Sequence, residues 1–200
     1  MLTRFSYLFL ICTLAISAFL FVNFTRKDSE NSASFLGVGR CRVCHEAVSA
    51  GDQFQRWLES PHSQAFAVLA SDSATAYIKS HGGTTAACIG CHSTLGRQAL
   101  TETELALNKE GVGCERCHGA GSRYAYFNVM RDHPAFLSNG GVRGSLDDCY
   151  QCHARDIAAE GPHCPFQRTS FLADSAWVQI RHSIPKEKLQ PDTVLDLRKQ

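Results

Sequence analysis

The pentapeptide Cys-x-x-Cys-His occurs four times in this chain: Cys41-Arg42-Val43-Cys44-His45, Cys88-Ile89-Gly90-Cys91-His92, Cys114-Glu115-Arg116-Cys117-His118 and Cys149-Tyr150-Gln151-Cys152-His153. One helical turn separates the two thiols, so both reach one edge of a flat macrocycle while the following imidazole points at its metal. That is the attachment pattern of a c-type haem. A zinc knuckle or a redox dithiol also uses a cysteine pair, but neither calls for histidine at the fifth position of every copy. With nine His in 200 residues, four such coincidences have a chance of roughly a few in a million. The sequence therefore implies four covalently attached haem c. Cys41, Cys44, Cys88, Cys91, Cys114, Cys117, Cys149 and Cys152 form the thioethers, and His45, His92, His118 and His153 are the proximal ligands.

Residues 35–185 then carry about one haem per 40 residues. An interior at that loading is largely porphyrin, and the fold is expected to depend on the cofactor, as in small metallo-domains. The formal charge of +1 gives no electrostatic footprint for nucleic acid. Two propionates per haem make the assembled protein more acidic than its sequence.

Residues 5–24 contain no charge, and a stretch of about 20 apolar or small residues is long enough to cross a bilayer. A cleaved signal peptide has a shorter apolar region closing on a small-x-small site. Residues 15–18 fit that poorly, because Phe19, Leu20, Phe21 and Val22 continue the apolar run. Cys12 lacks the preceding small residue of a lipoprotein site. The expectation is an uncleaved membrane anchor, with cleavage and secretion as the alternative. Haem attachment by this motif takes place outside the cytoplasmic membrane, so the haem region is expected on the periplasmic side.

Three regions follow: residues 1–34 as anchor or signal plus a polar linker, 35–185 as the haem domain, and 186–200 as a polar tail. The motifs recur at unequal intervals of 47, 26 and 35 residues between first cysteines, which argues against a solenoid. Phe54, Trp57 and Leu58 give residues 53–59 an apolar helical face. Ser60-Pro61 reads as an N-cap and first-turn proline. A second helix is expected over residues 61–70, with His62, Phe66 and Leu69 on one side. A third runs over residues 74–80 and stops at Gly82-Gly83. No alternating strand pattern is present. The expected fold is mainly α with extensive coil, a chain wrapped around a packed haem core.

Two further segments carry a family resemblance. Trp57-Leu58-Glu59-Ser60-Pro61-His62-Ser63-Gln64-Ala65 resembles the W-x-x-S/T-x-H-x-x-A segment after the first haem in the cytochrome c-554 family of tetrahaem cytochromes. Gly111-Val112-Gly113-Cys114-Glu115-Arg116-Cys117-His118-Gly119-Ala120-Gly121 is similar to that family's third site, G-V-G-C-E-x-C-H-G-x-G. The resemblance spans residues 40–153 and thins toward the C-terminus. It implies a mostly helical electron-transfer protein with haems packed in pairs.

Five histidines remain for the distal positions: His62, His81, His133, His163 and His182. Met1 and Met130 are the only methionines, so His/Met ligation is nearly excluded, and His/His ligation implies low potentials. The resemblance implies that His62 serves the haem of His118, His133 that of His45, and a C-terminal histidine, His182, that of His153. His163 is the rival for the last role. His81 precedes Cys88 by seven residues, and two following glycines let it fold back over the second haem. Cys164 reads as a small buried thiol. The leading function is electron transfer between a redox-protein donor and acceptor, with no catalytic residues. A small nitrogen-oxide reductase with an open distal site and a subunit of an extracellular cytochrome filament are the alternatives.

Overall fold

The computed structural model describes residues 32–81, 83–98, 101–153 and 172–182. The apolar stretch 5–24, His163, Cys164 and the tail 186–200 lie outside the described residues, so the readings placed on them are untouched. Among the described residues no helix is long and apolar enough to cross a membrane.

Ten short helices and several single 3-10 turns carry the described chain, and no strand occurs among those residues. In order, the helices are α1 (Val38–His45), α2 (Gln53–Glu59), α3 (Asp72–Ser80), α4 (Thr85–His92), α5 (Glu102–Asn108), α6 (Glu115–His118), α7 (Phe127–Met130), α8 (His133–Ser138), α9 (Leu146–His153) and α10 (Ala173–Ile180). The mainly helical, coil-rich architecture expected from the sequence is the one observed. Each motif histidine is the last residue of its helix: His45 of α1, His92 of α4, His118 of α6 and His153 of α9. The cysteine pair thus sits on a helical turn, and the chain turns away directly after the imidazole.

Local chemistry explains several boundaries. Ser71 caps α3, its hydroxyl accepting from Ala74 N at 3.2 Å. Thr101 and Glu104 form a reciprocal capping box on α5, which satisfies two of the otherwise orphaned first-turn donors. Asp132 caps α8 by accepting from Ala135 N at 2.9 Å. The expected helix over residues 53–59 is α2. The expected third helix is α3, which begins two residues earlier than residue 74 because of the Ser71 cap.

The helix expected over residues 61–70 is instead two 3-10 turns, Pro61–Gln64 and Ala67–Ala70. The reason is a long-range hydrogen bond. An α-helix would need the His62 carbonyl for Phe66 N, four residues on. That carbonyl accepts from Ala65 N at 3.2 Å and from Val112 N at 2.9 Å. Ser60 likewise makes no side-chain cap, because its hydroxyl donates back to the Trp57 carbonyl.

Few apolar side chains are buried among the described residues: Val38, Leu69, Leu95, Val112, Tyr124 and Ala173. Four polar ones join them, Ser93, Thr94, Asn108 and Glu115. Each of the four has a hydrogen-bonding task. Asn108 accepts from Leu95 N at 2.9 Å and donates to the Gly96 carbonyl at 3.0 Å, tying α5 to the turn after α4. Thr94 donates to the Gly111 carbonyl and accepts from Gly113 N. Ser93 donates to the Ile89 carbonyl and accepts from Gly96 N.

The Glu115 carboxylate, 4 % exposed, accepts from the backbone N–H groups of Leu36, Gly37 and Gly121 at 2.6–3.0 Å. The segment before α1 is therefore clamped onto α6. Glu110 adds a bond from Val38 N at 2.9 Å.

Replacing Glu115 by Ala leaves three backbone donors in or near the interior without their carboxylate, each loss costing about 1–3 kcal/mol. The expected destabilisation is at least about 3 kcal/mol, read from the denaturant midpoint by circular dichroism. Glu115→Gln, which keeps one acceptor oxygen, should recover part of it.

Candidate functional site

The four motifs meet in two pairs. The thiols of Cys41 and Cys114 lie close enough to shift each other's titration, which brings the first motif near the third. The thiols of Cys91 and Cys152 do the same for the second and fourth. Helices α4 and α9, which carry that second pair, pack together. Arg116, on α6, reaches across with its guanidinium 3.7 Å from Cys152 Sγ and 3.5 Å from the Thr94 carbonyl. The hydrogen bond from Cys91 and the nearby Arg116 charge pull the Cys152 thiol down to about 7. Burial pushes Cys117 up to about 11. No disulfide links the described cysteines. Among the described residues no three His, Cys, Asp or Glu converge as an ion cage, so the four-donor arrangement of a zinc knuckle is not formed there.

Three motif imidazoles are held by their Nδ1 atoms. His92 Nδ1 lies 2.7 Å from the Ala65 carbonyl, and His118 Nδ1 lies 2.9 Å from the Val142 carbonyl. His45 Nδ1 is 3.1 Å from Gln53 Oε1. An acceptor at Nδ1 fixes the proton there and leaves the Nε2 lone pair for a metal. These three motif histidines are therefore pre-set in the ligating tautomer.

Two distal candidates face motif histidines. The His62 ring centre lies 6.3 Å from that of His153, and the His182 ring centre lies 5.9 Å from that of His118. Separations of this size leave room for a metal ion between two imidazole nitrogens, so His62 with His153, and His182 with His118, could each hold one iron. Burial, then the charge of His153, lowers the pKa of His62. Burial, then His118 and His45, lowers His182 to about 4, although part of its ring stays open to solvent. Both rings are thereby kept neutral, as ligands must be.

These pairings exchange the two that the resemblance implied. His62 faces the fourth motif's histidine rather than the third's, and His182 faces the third's rather than the fourth's. The sequence shows which histidines are spare, but the partner depends on how α10 and the Pro61–Gln64 turn fold onto the motifs.

His133 lies elsewhere. Its Nε2 accepts from Arg143 Nε at 3.0 Å, and its ring stands beside Phe136, so Nδ1 is the nitrogen that Arg143 does not hold. His81 is exposed at the end of α3, stacked on Tyr77 with ring centres 4.0 Å apart. Its Nδ1 faces the Tyr77 carbonyl and the Ser80 hydroxyl. Its own helix holds it there, in place of the expected fold-back over the second motif.

Glycines bring the third motif into place. Gly111 has φ +87°, and a Cβ there would stand 2.4 Å from the His62 carbonyl oxygen. Only glycine lets the backbone at residue 111 pass so close to His62. Trp57 completes the junction, its indole N–H donating to the Val112 carbonyl at 2.8 Å. Gly119, at φ +80°, turns the chain out of α6, and the following residues bring Tyr124 back to donate its hydroxyl to the Gly119 carbonyl at 2.7 Å. Burial is the main cause raising the pKa of that phenol.

Residues 40–119 match the family model described as Cytochrome c554 and c-prime. Over those residues the chain is similar to that family. The cytochrome is a multihaem c-type protein of electron transfer, and the match takes in its first three motifs and His62. No curated protein and no solved structure matched the chain. The residues of this cytochrome fit covalent haem c: each motif offers two thiols on one turn, and the paired imidazoles leave room for one iron between them.

The sequence reading gave no role to Glu115, Arg116 or Gln53. Glu115 is the fixed acid of the third-site segment G-V-G-C-E-x-C-H-G-x-G, which was its signal, whereas Arg116 occupies that segment's variable position. Gln53 carries no motif at all.

Gly111→Ala should displace the His62 segment and lower stability by about 1–3 kcal/mol. Thermal unfolding measures the loss. The low-spin haem absorbance should fall with it. Gly39→Ala, whose added Cβ would meet nothing within 4 Å, should leave that absorbance unchanged.

Proposed function

We propose that this cytochrome is a tetrahaem electron carrier, with one haem c on each motif, working between a redox-protein donor and acceptor on the outer face of the cytoplasmic membrane. The observation that carries this reading is the pair of facing imidazoles, His62–His153 and His182–His118, at 6.3 and 5.9 Å. Bound haem c supplies a one-electron ferrous/ferric couple. The chain supplies the rest. Cys41, Cys44, Cys88, Cys91, Cys114, Cys117, Cys149 and Cys152 fix four haem edges. His45, His92 and His118 present Nε2 from helix ends, and His153 ends the fourth motif's helix. His62 and His182 close the fourth and third sites, and His133 is assigned to the first through its Nδ1.

Bis-histidine sites lack the potential-raising thioether, so the carrier works at low potential. The nearness of the first and third motifs, and of the second and fourth, supports close cofactor pairs, with Arg116 between the two pairs. Residues 5–24 are assigned as the anchor that keeps the haem region at the membrane.

The intact mass of the native protein should exceed that of its polypeptide by four haems, and the same spectrum reads whether residues 5–24 are retained. A colourless product would end this reading. His62→Ala should convert one low-spin haem to high-spin. In a protein already lacking the fourth attachment (Cys149→Ser, Cys152→Ser), the same substitution should change nothing further in the optical spectrum.

One observation favours a second reading, reduction of a small nitrogen oxide at the second haem. His81 is engaged by Tyr77 and Ser80, which assigns no histidine to the distal side of His92. In that reading the reduced protein binds one equivalent of carbon monoxide. A fully low-spin spectrum that carbon monoxide leaves unchanged would remove it.

A further inference from the structure

The first motif's histidine differs from the second and third in what holds it. His92 and His118 direct Nδ1 to backbone carbonyls, of Ala65 and Val142. His45 directs Nδ1 to a side chain, Gln53 Oε1, at 3.1 Å.

The orientation of that amide is fixed by its other end. Gln53 Nε2 donates to the Ala50 carbonyl at 2.6 Å, so the oxygen and not the nitrogen faces His45. An oxygen there requires a proton on His45 Nδ1, which leaves Nε2 as the ligating nitrogen. The backbone is shaped to hold the amide in place. Ala47 accepts from Ala50 N and Asp52 N, closing the loop between α1 and α2. The chain then enters α2 through two left-handed residues, Gly51 at φ 108° and Asp52 at φ 54°. Asp52 is the one described non-glycine residue with positive φ. A left-handed L-residue is strained and persists where its surroundings hold it. Here it stands immediately before the residue that reads the imidazole.

We infer that Gln53 is a positioning residue for the first haem, setting the tautomer and basicity of His45 and through them the reduction potential of that one site. The inference rests on the tetrahaem reading above. A stronger acceptor at Nδ1 makes the imidazole a better donor and favours ferric iron, and removal of the acceptor favours ferrous iron. Residue 53 thus offers a side-chain handle on the first site of a kind that the backbone carbonyls at the second and third do not provide.

The test is a potentiometric titration of the full-length haem-loaded protein and its Gln53→Leu and Gln53→Glu variants, with absorbance and electron paramagnetic resonance as readouts. Gln53→Leu should raise one of four midpoints and Gln53→Glu should lower the same one. Each change should be about tenfold in the reduction equilibrium, which is 59 mV for one electron. The remaining midpoints should stay in place, and every site that is low-spin in the parent should stay low-spin in the variants. Unmoved midpoints, shifts of one sign in both variants, or shifts spread over all four sites overturn the assignment. Loss of low-spin signal in both variants marks a purely structural role and overturns it too. Failure of the functional reading is distinguishable, since it appears in the parent protein as a mass without four haems.

Discussion

A single carboxylate decides where the first and third motifs lie. Glu115 sits between two haem-attachment cysteines and accepts hydrogen bonds from three backbone amides, two of them 78 and 79 residues away in sequence. Among the described residues few apolar side chains are buried against one another, so polar bonds carry much of the registration between these segments. Charge-assisted bonds to backbone donors, each worth about 1.5–3 kcal/mol, do that work here. They fasten the segment before α1 onto α6, and the nearness of Cys41 and Cys114 follows from that clamp.

The same economy recurs wherever segments cross. Asn108 holds the turn after α4, Thr94 holds both glycines flanking Val112, and Trp57 reaches the Val112 carbonyl. Most of these bonds engage backbone groups of the turns between helices. The His62 carbonyl is the clearest case. Committed to Val112, it ends the helix that residues 61–70 would otherwise form, and it places the His62 imidazole opposite His153.

The four motifs were legible in the sequence because their pattern is local, two thiols and an imidazole within five residues, and each lies on a helical turn ending at its histidine. So were α2 and α3, whose apolar spacing and flanking turn residues agree with the tertiary contacts. Distal partners were legible only as a set of spare histidines. In the structure the His62 ring faces that of His153 and the His182 ring faces that of His118, whereas the resemblance assigned them the other way round. His81 illustrates a competing local interaction, since stacking on Tyr77 four residues earlier outweighs the freedom that Gly82 and Gly83 suggested. Gln53 was invisible because an acceptor aimed at one particular N–H leaves no periodic trace, and Glu115 stood out only as the fixed acid of the third-site segment.

The pairing of motifs has a bearing on how damage would spread through such a protein. Cys41 lies near Cys114 and Cys91 near Cys152, so each motif has its spatial neighbour two motifs along the chain. A defect at one motif would therefore be felt first at that distant partner, and only afterwards at the motif next to it in sequence.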